Sequence, residues 1–303
     1  MDIFRSIFSY SQMNFGRWKK DYRVWIIMLF TALLVVDYLH GYTAYAVEEG
    51  KSITFCLLPI LHIQSNISLA SPKVLFYILF ILLICDAPFL YNITPYAILR
   101  SGRKKWWMGE CFYLSLAALF FMIFISICCL LVVLPVVSFE NDWGNGLTDY
   151  IYGTEMFSVT DILRAYPISI GLPEMAVKYL NPIECQTYTF FAGWATMFFL
   201  GLIVYLMNLV TKSKFWGVVV AVFFVLLDPI LTLETGRTGR WYPLLSPLCW
   251  TSIEQLDYVN SASFLNLPVT IVLYSALLIL LISIIGLVSK KISVEVSCHE
   301  NGN

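Results

Sequence analysis

Apolar residues run along this chain in long unbroken blocks rather than as a stripe on one helical face. Val24 to Val47 holds Asp37 as its one interior charge, and Val74 to Leu99 holds Asp86 alone. Cys111 to Phe139, Cys185 to Thr211 and Tyr258 to Ser289 carry none, and Phe215 to Leu233 carries Asp228. A hydrocarbon layer about 30 Å thick is crossed by about 20 helical residues. The blocks therefore predict an all-α integral membrane protein with six transmembrane helices. The spans are placed near 24–45, 74–94, 110–137, 187–210, 215–233 and 267–288, within one transmembrane domain over 24–303. Loops 138–186 and 234–266 are rich in turn residues and prolines, which suits short helices on the ends of the spans.

The first 23 residues have a different rhythm. Phe4, Ile7, Phe8, Phe15 and Trp18 recur at near-helical spacing, with Arg5, Gln12, Arg17 and Lys19 between them. This spacing predicts an N-terminal amphipathic helix in the membrane interface over 1–23.

Composition agrees with a lipid solvent. The 303 residues are 59% hydrophobic and 13% charged, with mean hydropathy +0.76. A soluble domain carries about 25% charged residues to keep its surface hydrated. The net charge of −1 offers no attraction to nucleic acid, which is not expected as a partner. The distribution of charge is more telling. Arg5, Arg17, Lys19, Lys20 and Arg23 precede the first span, and Arg100, Arg103, Lys104 and Lys105 follow the second. Lys212 and Lys214 follow the fourth, and Lys290 and Lys291 the sixth. The other side holds Lys51, Lys73, Arg164, Lys178, Arg237 and Arg240, spread over longer segments. Cationic flanks are retained inside, so the N- and C-termini are expected to be cytoplasmic. A signal peptide cleaved after Ala44-Tyr45-Ala46 would leave five spans with the same loop orientations, but the basic segment is long for that role. No eukaryotic sorting signal is recognisable, which points to a bacterial plasma membrane.

Catalytic chemistry has little to work with. There is no phosphate loop and no His-Glu-x-x-His zinc motif. Glu48-Glu49 begins like the Glu-Glu-x-x-x-Arg of intramembrane prenyl-protein proteases, but Ser52 and Ile53 follow and no arginine is near. His40, His62 and His299 are far apart in the chain. No catalytic residue, cofactor ligand or metal site is expected, and the chain is read as a non-enzyme. The eight cysteines form no Cys-x-x-Cys pair, and Cys56, Cys185 and Cys249 leave an external disulfide open. What remains are acids inside the spans. Asp86-Ala87-Pro88 and Asp228-Pro229 place an acid beside a helix-breaking proline, making Asp86 and Asp228 candidates for a substrate path or gate, against a plain structural role. Asp37 is read as structural, near the outer boundary.

The layout as a whole resembles the permease subunit of a type-two ABC transporter, the class dominated by exporters. The resemblance rests on the basic amphipathic segment Phe4–Arg23 and the connection Leu99-Arg100-Ser101-Gly102-Arg103-Lys104-Lys105-Trp106-Trp107-Met108-Gly109-Glu110. The fifth span broken at Asp228-Pro229 and the last span ending in Lys290-Lys291 fit as well. The 138–186 loop is longer than minimal members have. The resemblance implies two permease subunits, identical or paralogous, each bound to a cytoplasmic ATPase subunit that holds ATP and Mg. Docking would fall to Phe4, Arg5, Phe8 and Arg17, and to Arg100, Ser101, Gly102, Arg103, Lys104 and Lys105. The implied cargo is amphipathic: a peptide, an antibiotic or a lipid. Two other readings stay open, a secondary transporter with ion sites at Asp86 and Asp228, and a non-transporting sensor or immunity protein.

Overall fold

Long apolar helices alternating with short polar joints make up the computed structural model of the chain, which describes residues 2–63, 71–88, 102–152, 174–233, 244, 246–253, 256 and 265–291. α1 is Asp2–Trp18, α2 Tyr22–Glu48, α3 Leu58–Leu61 and α4 Pro72–Ile84. α5 is Arg103–Val133, α6 Asn145–Tyr152 and α7 Glu174–Tyr179. α8 is Pro182–Thr211, α9 Lys214–Leu233 and α10 Leu267–Lys291. Two-residue strands β1 (Ile53–Thr54) and β2 (Val137–Ser138) pair in parallel, Ile53 opposite Val137. Among the described residues four helices are long and apolar enough to cross a membrane: α2, α5, α8 and α10. α4 is apolar but 13 residues long, and α9 has 20 residues with Pro229 inside it.

Several boundaries differ from the hydropathy reading, each for a local reason. α2 continues to Glu48, with Asp37 just past its midpoint. α5 begins at Arg103, because basic residues are as good helix formers as apolar ones. Arg103, Lys104 and Lys105 thus form its first turn instead of a connecting loop. α8 starts at Pro182, where Asn181 and Glu184 form a reciprocal capping box. The expected end of the second span, at 94, falls outside the described residues.

Successive long helices run in alternating directions. One end, called the basic end here, gathers α1, the starts of α2, α5 and α9, and the ends of α4, α8 and α10; the Arg103 guanidinium donates to the Lys290 carbonyl at 3.3 Å there. α5 and α8 lie at the centre, and Tyr77, Phe80, Tyr113, Phe121 and Tyr205 are wholly buried around them. Small residues permit the close approach of α8: a Cβ at Gly193 would stand 2.7 Å from the Met122 Cε.

The opposite end is tied by its own contacts. Lys51 pairs with Asp149 at 2.7 Å, and Gly144, at φ 78, brings its backbone against Ser52, where a Cβ would meet the Ser52 carbonyl at 2.6 Å. The Trp143 indole donates to the Leu180 carbonyl at 3.0 Å. All seven described cysteines are free thiols, so the disulfide left open among Cys56, Cys185 and Cys249 is not formed. Burial pushes the Cys56 thiol up to about 11.

Candidate functional site

Two arrangements of polar side chains stand out at the basic end, and a third lies buried towards the opposite end. The first joins α1 to the head of α5. Ile7, Tyr10, Ser11 and Asn14 recur at helical spacing on the buried face of α1. Asn14 donates to the Glu110 carboxylate at 3.1 Å, and the Trp18 indole donates to the Tyr113 hydroxyl at 2.8 Å. Ahead of both, Gly109 lets α1 come close, since a Cβ there would stand 2.7 Å from the Tyr10 Cβ. Contacts advance along both helices together, from Tyr10 at Gly109 to Trp18 beside Tyr113 and Phe120, so α1 runs alongside α5.

Of the residues implied to dock a partner, Phe8 is 49% exposed and Arg5 is exposed with it. Phe4 lies in α1, its side chain outside the described set. Arg17 is half-buried, in the field of Glu110. Gly102 precedes α5 at φ 88, and Arg103 and Lys104 are exposed in the first turn, with Lys105 half-buried. Arg100 and Ser101 lie outside the described residues. Cations at a helix N-terminus oppose the macrodipole, each by about 0.3–1 kcal/mol. Free amide groups and basic side chains together make this helix head attractive to anionic groups.

The second arrangement holds Asp86. Its Oδ2 lies 2.7 Å from Arg23 Nη2 and its Oδ1 lies 2.9 Å from Lys214 Nζ, tying the end of α4 to the starts of α2 and α9. Asn208 of α8 completes the joint. Its amide donates to the Cys85 and Ala87 carbonyls at 3.1 and 2.6 Å, and its oxygen accepts from the Gly217 backbone at 3.0 Å. The C-cap carbonyl of α4 and a carbonyl of the turn after it are thereby satisfied.

The third arrangement surrounds Asp228. Lys73, counted in an outer loop by the charge pattern, is instead in the first turn of α4 and wholly buried. Its Nζ donates to Asp228 Oδ2 and to Ser252 Oγ, both at 2.8 Å. Ser252 donates onward to the His62 carbonyl at 3.0 Å, and the Cys249 thiol donates to Asp228 Oδ1 at 2.6 Å. His62 Nδ1 lies 3.0 Å from the Leu58 carbonyl and so carries the proton, leaving Nε2 a bare acceptor without a partner among the described residues. His62 is in the segment between α2 and α4, and burial pushes its imidazole down to about 4. A buried ion pair is retained when further hydrogen bonds satisfy both partners, as Ser252 and Cys249 do here.

The structure thus brings together Arg103, Lys104 and Lys105 with α1, but it keeps Asp86 and Asp228 apart, at opposite ends of the bundle. Lys73, His62, Cys249, Ser252, Asn14, Glu110 and Asn208 were not singled out by sequence. The usable signal for Lys73 was a lone cation at the head of an apolar helix, in a chain with unpaired acids in other spans. An open apolar cleft of about 800 Å³ separates the first halves of α8 and α10, lined by Tyr188, Phe191, Leu267, Ile271 and Leu278. Among the described residues no group of three or more metal-ligating side chains forms. No family model, no curated protein and no solved structure matches this chain.

Proposed function

We propose that this chain is the membrane-spanning permease subunit of an ATP-driven exporter, with six spans and both termini in the cytoplasm of a bacterial plasma membrane. The observation that carries this reading is the union of α1 with the head of α5. Two segments far apart in sequence, both implied as docking elements by the resemblance, become one unit with Arg5, Phe8, Arg103 and Lys104 exposed. A cytoplasmic ATPase subunit holding ATP and Mg would press on that unit. Because α5 is central, movement of its head is transmitted into the core.

The cargo in this reading is amphipathic, a peptide, an antibiotic or a lipid, and the apolar cleft between α8 and α10 suits its greasy part. Asp86 and Asp228 are each held by cationic side chains, which favours structural duty over the ion-binding duty of a secondary transporter.

The test is co-purification of the chain in mild detergent with ATPase subunits from its own host. Replacing Arg100, Arg103, Lys104 and Lys105 together with alanine is expected to abolish association and transport while the thermal midpoint stays put. Association and transport both unaffected by the fourfold replacement would refute the docking role.

A further inference from the structure

The cleft between the first halves of α8 and α10 holds about 800 Å³, and almost every polar group around it is already spent. The Tyr188 hydroxyl donates to the Trp250 carbonyl, and the Tyr274 hydroxyl to the Pro247 carbonyl at 2.9 Å. The Trp194 indole donates to the Ser115 carbonyl at 3.0 Å. Thr270 and Ser275 each donate one turn back along the chain, to the carbonyls of Asn266 and Ile271. The helix starts are closed as well. Glu184 accepts from the Asn181 backbone at 3.2 Å, the Ile183 backbone donates to Asn141 Oδ1 at 3.5 Å, and the Val269 backbone donates to Asn266 Oδ1 at 3.0 Å. Thr187, exposed, is the one hydroxyl of the lining without a partner among the described residues.

An occupant therefore finds almost nothing to bond to inside the cleft. A peptide carries an N–H and a C=O at nearly every residue, and here each would lose water without a replacement. A hydrocarbon chain has no such groups to lose. Length and place agree with that choice. The lining runs from Ile183 to Ala195 on α8, about 18 Å, and from Leu267 to Leu278 on α10, about 16 Å. Half of a hydrocarbon layer is about 15 Å deep. Both helices start at the end away from the basic end, so the cleft covers the leaflet on that side. Ile183, Phe191, Leu267 and Ile271 are exposed along its rim, whereas Ala192, Ala195 and Tyr274 are buried at its floor. It thus opens sideways into the leaflet, and the two alanines leave its floor hollow.

We propose that this cleft binds an acyl tail of a lipid from the leaflet away from the basic end, and that peptides are excluded from it. The tail lies along the seam of α8 and α10, its methyl end near Ala195 and Leu278 and its head near Ile183 and Leu267. Counting the bound lipid as cargo rests on the exporter reading, whereas the site itself rests only on α8 and α10 crossing a bilayer.

The experiment uses the full-length chain in vesicles of phosphatidylethanolamine and phosphatidylglycerol, a small part of the latter carrying a diazirine at the methyl end of one tail. Illumination, digestion and mass spectrometry are expected to place adducts around Ala195 and Leu278. They should exceed several-fold those on Ile127 and Leu131, which α5 exposes outside the cleft. Ala195→Phe fills the floor and is expected to bring the excess down to the α5 level. Ile271→Trp narrows the exposed rim, where no core packing is at stake, and should lower the excess in the same direction. A peptide of leucines carrying the same diazirine should label the cleft no more than α5. The proposal falls if lipid adducts in the cleft do not exceed those on α5, if either substitution, in a chain that stays folded, leaves the excess unchanged, or if the peptide labels the cleft as strongly as the lipid. A labelled cleft on a chain that binds no ATPase counts only against the exporter reading. An ATPase-bound chain whose cleft stays at the α5 level overturns this site alone.

Discussion

Lys73 Nζ and Asp228 Oδ2 are 2.8 Å apart with neither side chain exposed, so two helices 155 positions apart in sequence are joined by a charge pair shut off from water. Such a pair is tolerated rather than gained from: removing one partner strands a charge at a cost of about 3–5 kcal/mol, while replacing both with apolar groups is often neutral. Lys73→Met alone and Asp228→Leu alone are therefore expected to lower the thermal midpoint in detergent sharply. The double replacement should recover most of the loss. Additive single effects in this double-mutant cycle would show that the two residues act independently.

His62 sets a pH response of definite sign. Its folded value, about 4, lies below the ordinary 6.5, so between those values the unfolded chain binds the extra proton. Stability is full above about pH 6.5 and declines as pH falls towards 4, by about 3 kcal/mol for this one group. His62→Gln is expected to flatten that part of the profile, measured as thermal midpoint from pH 7 to pH 4.5. A profile as steep in the variant as in the parent would assign the acid sensitivity elsewhere.

Asn208 and Asp86 occupy the same joint but should matter unequally. The Asp86 pairs are partly exposed, and exposed ion pairs contribute about 0–1 kcal/mol. The Asn208 amide satisfies buried backbone groups of two other helices, so Asn208→Ala leaves them unmet at about 1–3 kcal/mol or more. Chemical denaturation of both variants should rank N208A as the greater loss. The reverse order would show that the ionic part of the joint dominates.

Gly109 is the contact through which α1 reaches α5. Gly109→Leu places a branched side chain where the Tyr10 Cβ now sits and is expected to release α1 without disturbing the spans. Protease cleavage near Lys19-Lys20 should then quicken while the melting of the bundle changes little. Unchanged cleavage would mean that α1 is held by Trp18 and Asn14 alone.

Continuous apolar runs made α2, α5, α8 and α10 legible in the sequence, because a helix buried in lipid has no need to alternate. The start of α8 was placed too late, at 187, although Asn181 three residues before Glu184 carries the reciprocal capping pattern. Side-chain partners were harder. Asp228 was read as a candidate for a substrate path or gate against a structural role, but the depth of Lys73 is decided by an acid in another helix and no local pattern carries that information. On α1 the near-helical recurrence of apolar residues was legible, but the burial of Tyr10 and Asn14 against α5 was not, because the acceptor for Asn14, Glu110, lies 96 positions away.

The three bonds of Asn208 have a mechanical corollary. Since a single amide grips the tail of α4 and the opening turn of α9 while belonging to α8, those three rods are geared at one pivot. Any swing of α9 about its foot drags α4 with it or tears the amide loose. With Asp86 also holding Arg23 at the start of α2, motion near the basic end has to carry α2, α4, α8 and α9 together.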